Sequence, residues 1–145
     1  MFAPSQHDVR RIFCDTAAKL RDRRPLTPLE GLAAQWIGEH PEYVDDLADT
    51  EAALAAVFSV DDARGNPFLH LSMHLSISEQ VSIDQPGGIR QAFELLAARR
   101  RSAHAAQHEI MDCLGEMLWT SQRSGLPPDG EAYIECVRRR AIGAS

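Results

Sequence analysis

The sequence predicts an all-α protein, a single-domain bundle of about five to seven helices over residues 1–145. Three observations carry this. Apolar residues recur at spacings of three and four, cap-and-proline signatures mark successive helix starts, and no segment sustains the two-residue alternation of a half-buried strand.

The elements follow in order. Ser5, with Asp8 three residues on, reads as an N-cap for a helix through about Lys19, with Val9, Ile12 and Phe13 along one side. Residues 21–25 form a polar break. Thr27-Pro28-Leu29-Glu30 joins a cap, a proline at the first helical position and a glutamate placed for a capping box. That helix carries Leu29, Leu32, Ala33, Trp36 and Ile37, and it ends near His40 because the residue before Pro41 disfavours helical geometry. Short helical pieces are expected over 43–47 and 50–58. Asn66-Pro67 repeats the cap-proline signature and opens a long helix to about Asp84, after which Gln85-Pro86-Gly87-Gly88 breaks the chain. Ile89 to Arg100 reads as a helix with Phe93, Leu96 and Ala97 apolar. A longer one runs from about Ser102 to Arg123, stopped by Gly125 and Pro127-Pro128, and Asp129 caps a last helix through about Arg140.

Composition narrows the function classes. A hydrophobic content of 44% with 25% charged residues is ordinary for a globular domain. A net charge of -6 argues against a nucleic-acid surface, which makes a domain basic. Cys14, Cys113 and Cys136 are odd in number, widely spaced and in no C-x-x-C arrangement, so they are expected as buried reduced thiols in a reducing compartment. Gln6, His7, Asp8 and Arg10 leave no apolar signal-peptide core near the start, and no stretch approaches the roughly 20 apolar residues of a membrane span. The expectation is a cytoplasmic protein with no membrane partner.

The chemistry lies in two His-x-x-x-His pairs, His70/His74 and His104/His108. Histidines four apart on a helix point the same way, about one turn apart, so both imidazoles can reach one ion. Two such pairs on facing helices would complete a site. His70, His74, Ile77, Val81 and Asp84 share one stripe, and His104, His108, Met111, Gly115 and Leu118 share another. Both stripes are partly apolar and are therefore expected to face inward. Buried imidazoles need partners for both ring nitrogens, and a metal would satisfy one nitrogen of each. Asp112, four residues after His108, is placed as a carboxylate ligand or as an orienting partner, and His40 is placed to contribute from a helix end. Imidazoles with a carboxylate suit a transition metal ion, iron or zinc first and manganese or nickel next.

Other motifs are excluded. The zinc-protease pattern needs Glu directly after the first histidine, and here Leu71 and Ala105 stand there. The di-iron Glu-x-x-His pattern is also absent, since Pro67, Leu71, Arg101 and Ala105 occupy the glutamate positions. No P-loop and no Gly-x-Ser-x-Gly elbow occurs. Arg99-Arg100-Arg101 and Arg138-Arg139-Arg140 read as solvated helix C-termini, with a phosphate patch second. Trp36 and Trp119 are expected in the core.

Several segments carry a resemblance to a known family. They are Phe2-x-Pro-Ser5, Pro25-Leu-x-Pro-Leu-Glu30, His40-Pro-Glu-Tyr43, Asn66-Pro-Phe-Leu-His-Leu-x-x-His74, Glu79-Gln80 and Asp84-Gln-Pro86. The His104 to Trp119 helix and Gly125-x-Pro-Pro-Asp129 belong with them. Together they resemble a bacterial family of uncharacterised proteins, domain of unknown function 1841, from Met1 to about Arg140. The resemblance implies that His40, His70, His74, His104 and His108 lie in recognisable segments, and it assigns no catalytic residue.

Two readings follow. In the first, a metal-binding bundle uses His40, His70, His74, His104, His108 and Asp112, and an open coordination position would support hydrolytic or redox chemistry, neither assigned. In the second, a non-catalytic protein–protein interaction module uses the histidines as a buried hydrogen-bonded layer. Self-association into a homo-oligomer through an exposed helix face is compatible with both.

Overall fold

A computed structural model describes residues 6–58 and 65–143, so the expected Ser5 cap lies outside the described residues. The protein is 76% helical, with seven α-helices and no strand among the described residues. Contacts divide it into two compact units, Met1–Ser76 and Ile77–Ser145.

The first unit holds α1 (Gln6–Arg21), α2 (Pro28–Glu39), a 3-10 turn at Pro41–Tyr43, α3 (Thr50–Ala55) and the start of α4 (Pro67–Ile83). The Thr27 capping box is formed in both directions: the Thr27 hydroxyl accepts from the Glu30 amide, and the Glu30 carboxylate accepts from the Thr27 amide. Lys19 donates to that carboxylate at 2.8 Å, so α1 is tied to the start of α2. α1 packs on α2 and α3, around a core that includes Phe13, Ala33, Trp36, Leu47, Phe68, Leu71 and Leu75.

The piece expected over 50–58 ends early, at Ala55, with Ala56 extended at ψ 138°. The cause is Arg10. Its buried guanidinium donates to the carbonyls of Ala53 and Ala56 at 2.7 and 2.8 Å and lies over the Phe58 and Phe68 rings. Carbonyls that a longer helix would use internally are taken by a side chain from α1. The piece expected over 43–47 is instead a 3-10 turn at Pro41–Tyr43 followed by turns over 44–47.

The second unit packs α5 (Ile89–Arg100), α6 (Ala103–Ser124) and α7 (Gly130–Ala141) against one another. Its core includes Ile77, Ile89, Leu96, Ile110, Leu114 and Val137. Two polar links reach from the end of α4: Gln107 donates to Ser78 at 3.0 Å, and the Tyr133 hydroxyl donates to Gln80 at 2.6 Å. Burial pushes the Tyr133 phenol well above its ordinary value, which keeps it protonated and a donor. The turn before α5 contains a cis Gln85–Pro86 bond, and the Asp84 carboxylate accepts from the Gly88 and Arg90 amides. Gly88 has φ +98°, a backbone conformation that favours glycine, and the Arg138 guanidinium packs close against it.

Two expectations are corrected in this unit. Cys113 and Cys136 are joined in a disulfide between α6 and α7, with Cα atoms 5.9 Å apart. Only Cys14 keeps the expected state, a buried free thiol whose pKa is raised by desolvation. The pair is 23 residues apart in sequence and is brought together by helix packing, which leaves no local spacing to read. Trp119, expected in the core, is 58% exposed, with the Arg123 guanidinium 5.0 Å from its ring. The buried face of α6 is instead Ala106, Gln107, Ile110, Met111, Cys113 and Leu114, rotated away from the stripe that carries His108 and Leu118.

Candidate metal centre

In the first unit, three histidines converge from two helices. Trp36 and His40 sit one turn apart at the end of α2, and His70 and His74 one turn apart in α4. His40 and His74 are buried and His70 is half-buried. Nε2 of His70 lies 3.0 Å from Nε2 of His40 and 3.2 Å from Nε2 of His74. The His40 and His70 rings meet edge-on, as do those of His70 and His74.

Neighbouring groups orient these rings. Nδ1 of His40 is 2.8 Å from the Trp36 carbonyl. A carbonyl can only accept, so Nδ1 carries the hydrogen, and in the neutral ring Nε2 keeps its lone pair towards His70. Tyr43, placed by the 3-10 turn, stacks parallel to His40 at 5.3 Å. The Trp36 indole stacks on His74 at 4.0 Å with 9° between planes. The sequence reading placed Trp36 in the core without linking it to the histidines. Its i, i+4 relation to His40 was the available signal.

The nitrogen spacing limits the chemistry. One imidazole nitrogen offers either one hydrogen or one lone pair, so Nε2 of His70 cannot complete both of its contacts as separate two-centre hydrogen bonds. An ion removes that conflict, because it accepts a lone pair from each ring. With nitrogens about 2.0–2.1 Å from a metal, tetrahedral ligation sets nitrogen–nitrogen edges near about 3.3 Å and octahedral ligation near about 2.9 Å. The observed 3.0 and 3.2 Å fall between these values.

In the second unit, His104 and His108 face one another along α6, their Nε2 atoms 3.1 Å apart. His104 is half-buried and His108 exposed. Asp112 is exposed, and its carboxylate accepts from Arg140 at 3.1 Å. The structure thus engages Asp112 with α7. His7 lies exposed near the start of α1.

Fold and site together define an all-α protein that presents histidines in groups on its helices. The chain belongs to the family described as Domain of unknown function (DUF1841), whose model matches residues 5–139. No match is found among curated proteins or among solved structures.

Proposed function

We propose that this protein binds a first-row transition metal ion through His40, His70 and His74. The convergence of three Nε2 atoms at 3.0 and 3.2 Å on His70 carries the reading. His104 and His108 are a second donor pair by the same nitrogen spacing. The donor set suits iron or zinc first, then manganese or nickel.

The test is elemental analysis of untagged protein purified without chelator, with each histidine group replaced in turn. About one ion per chain, lost in His74→Ala, supports the first group as a site, and a further ion lost only in the His104→Ala/His108→Ala variant gives the second pair a site of its own. Loss with His74→Ala alone restricts the site to the first group. No metal above background, and none taken up when iron, zinc, manganese or nickel is offered at neutral pH, overturns the proposal.

A second reading has its own observation. Among the described residues no buried side-chain nitrogen or oxygen lacks a partner, as expected of a histidine layer serving a non-catalytic interaction module. In that case chelator leaves the melting temperature unchanged, whereas a bound metal raises it.

A further inference from the structure

The disulfide lies in a cleft. Cys113, buried on α6, and Cys136, half-buried on α7, both line a cavity of about 770 Å³ in the second unit. That volume is within the range of small-molecule sites. The cleft walls carry Arg99, Arg100, Arg139 and Arg140. Glu109 occupies two of these: Arg100 grips its carboxylate at 2.6 and 2.9 Å, and Arg140 stands 3.9 Å away. Arg139 is held only loosely, 3.8 Å from Glu135 with both side chains more than half exposed. Arg99 makes no hydrogen bond to a carboxylate among the described residues and lies against Gly143. The wall also bears Glu116 and Asp129, and Glu109 interacts with Arg99 as well, so four arginines face three carboxylates and a small positive excess remains, with Arg99 and Arg139 the arginines not gripped by Glu109.

We propose that Cys113–Cys136 is a thiol-exchange site, opened and closed by a small thiol that carries carboxylates, with Arg99 and Arg139 drawing that thiol into the cleft. Exchange needs a thiolate to reach one sulfur of the bond, and access decides which sulfur is attacked. The cleft and the half-burial of Cys136 select Cys136 over Cys113. The thiolate sulfur bonds to Sγ of Cys136, the Cys113–Cys136 bond breaks, and Cys113 departs as a thiolate that takes a proton from water. A second thiol then attacks the incoming sulfur of the mixed disulfide, which frees Cys136. In sum, two small thiols are oxidised to their disulfide and the two cysteines are reduced by two electrons. The reverse sequence closes the bond.

The experiment uses the intact oxidised chain and three thiols of similar size: mercaptoacetate (anionic), 2-mercaptoethanol (neutral) and cysteamine (cationic). Each rate is normalised to that thiol's rate with a small linear disulfide. Mass spectrometry of acid-quenched samples locates the first adduct. Mercaptoacetate should react about 10-fold faster than cysteamine after normalisation, with the adduct on Cys136. The Arg99→Ala/Arg139→Ala variant should erase the preference while keeping its helical circular dichroism. Equal normalised rates, a first adduct on Cys113, reaction only at the rate of global unfolding, or two free thiols persisting after exposure to oxidised glutathione would each overturn the proposal. If the double variant fails to fold, Arg139→Gln alone with the same three thiols decides the point.

Discussion

The two units of this chain place their ionisable groups differently. In residues 6–58 and 65–76, Arg10, Thr16, His40 and His74 are buried beside Phe13, Trp36 and Tyr43, and the only cysteine is an unpaired thiol. From Ile77 onwards the charged groups lie outward: Arg100, Glu109, Arg140 and Asp112 form a surface network, and α6 is cross-linked to α7. A buried imidazole or guanidinium is retained only where partners are fixed to within hydrogen-bond distance, which is also what a binding site requires. Surface ion pairs contribute little each, and a covalent link supplies in their place a constraint on the unfolded chain. The first unit therefore holds buried donors close together, whereas the second spreads its charges over a surface around a cross-link.

The difference can be broken most sharply at His74. His74→Ala removes a fully buried ring stacked on Trp36, and a destabilisation of about 3 kcal/mol is expected in urea unfolding, together with loss of metal uptake. His74→Gln, which keeps polar atoms and much of the volume, should recover part of the stability and none of the metal. Comparable in size is the cross-link. Opening Cys113–Cys136 releases a loop spanning 23 residues, so Cys113→Ser/Cys136→Ser should cost about 3.4 kcal/mol. Hydrogen exchange should show the lost protection over 77–143 while residues 6–58 hold theirs. An equal loss in both units would show that the two unfold as one cooperative block.

Arg10→Met leaves the Ala53 and Ala56 carbonyls without their donor, and about 2 kcal/mol should be lost, with fraying confined to 50–58. The smallest expected effect is acid dependence. Hydrogen bonding from Lys19 lowers the Glu30 pKa from its ordinary 4.5, and hydrogen bonding from Arg100 does the same for Glu109. A lowered folded-state value means that both contributions are complete above about pH 4.5 and disappear as pH falls through the lowered values. Unfolding midpoints between about pH 5 and 3 should decline, and Glu30→Gln or Glu109→Gln should each flatten the slope in that window. Metal affinity responds higher, through the imidazole range, and should be more than tenfold weaker at about pH 5 than at pH 8.

Helix starts were legible because their signals are local. Thr27-Pro28-x-Glu30, Asn66-Pro67, Ser102 and Asp129 each cap their helix with the side chain the sequence offers. The histidine pairs were legible for the same reason, since spacing of four is a property of one helix. What sequence could not supply was the meeting of separate elements. His40 joins His70 only because a 3-10 turn ends α2 beside α4, and Cys136 meets Cys113 only through the packing of α7 on α6. Trp119 was misplaced because the apolar stripe of α6 extends past the face that the helix buries. The short reach of α3 followed from Arg10, a charged residue forty-three positions upstream of its acceptor Ala53.

The hydrogen bond from His40 to the Trp36 carbonyl has a consequence for heredity as well as for chemistry. The acceptor is main chain, so no side-chain replacement at position 36 deletes it, and the protonation pattern of the first imidazole survives drift there. Short of replacing His40 itself, a change in how the second helix terminates is what can unlock it. Variation near Pro41 therefore threatens this one bond more than variation at Trp36, whose side chain serves the site separately by stacking on His74.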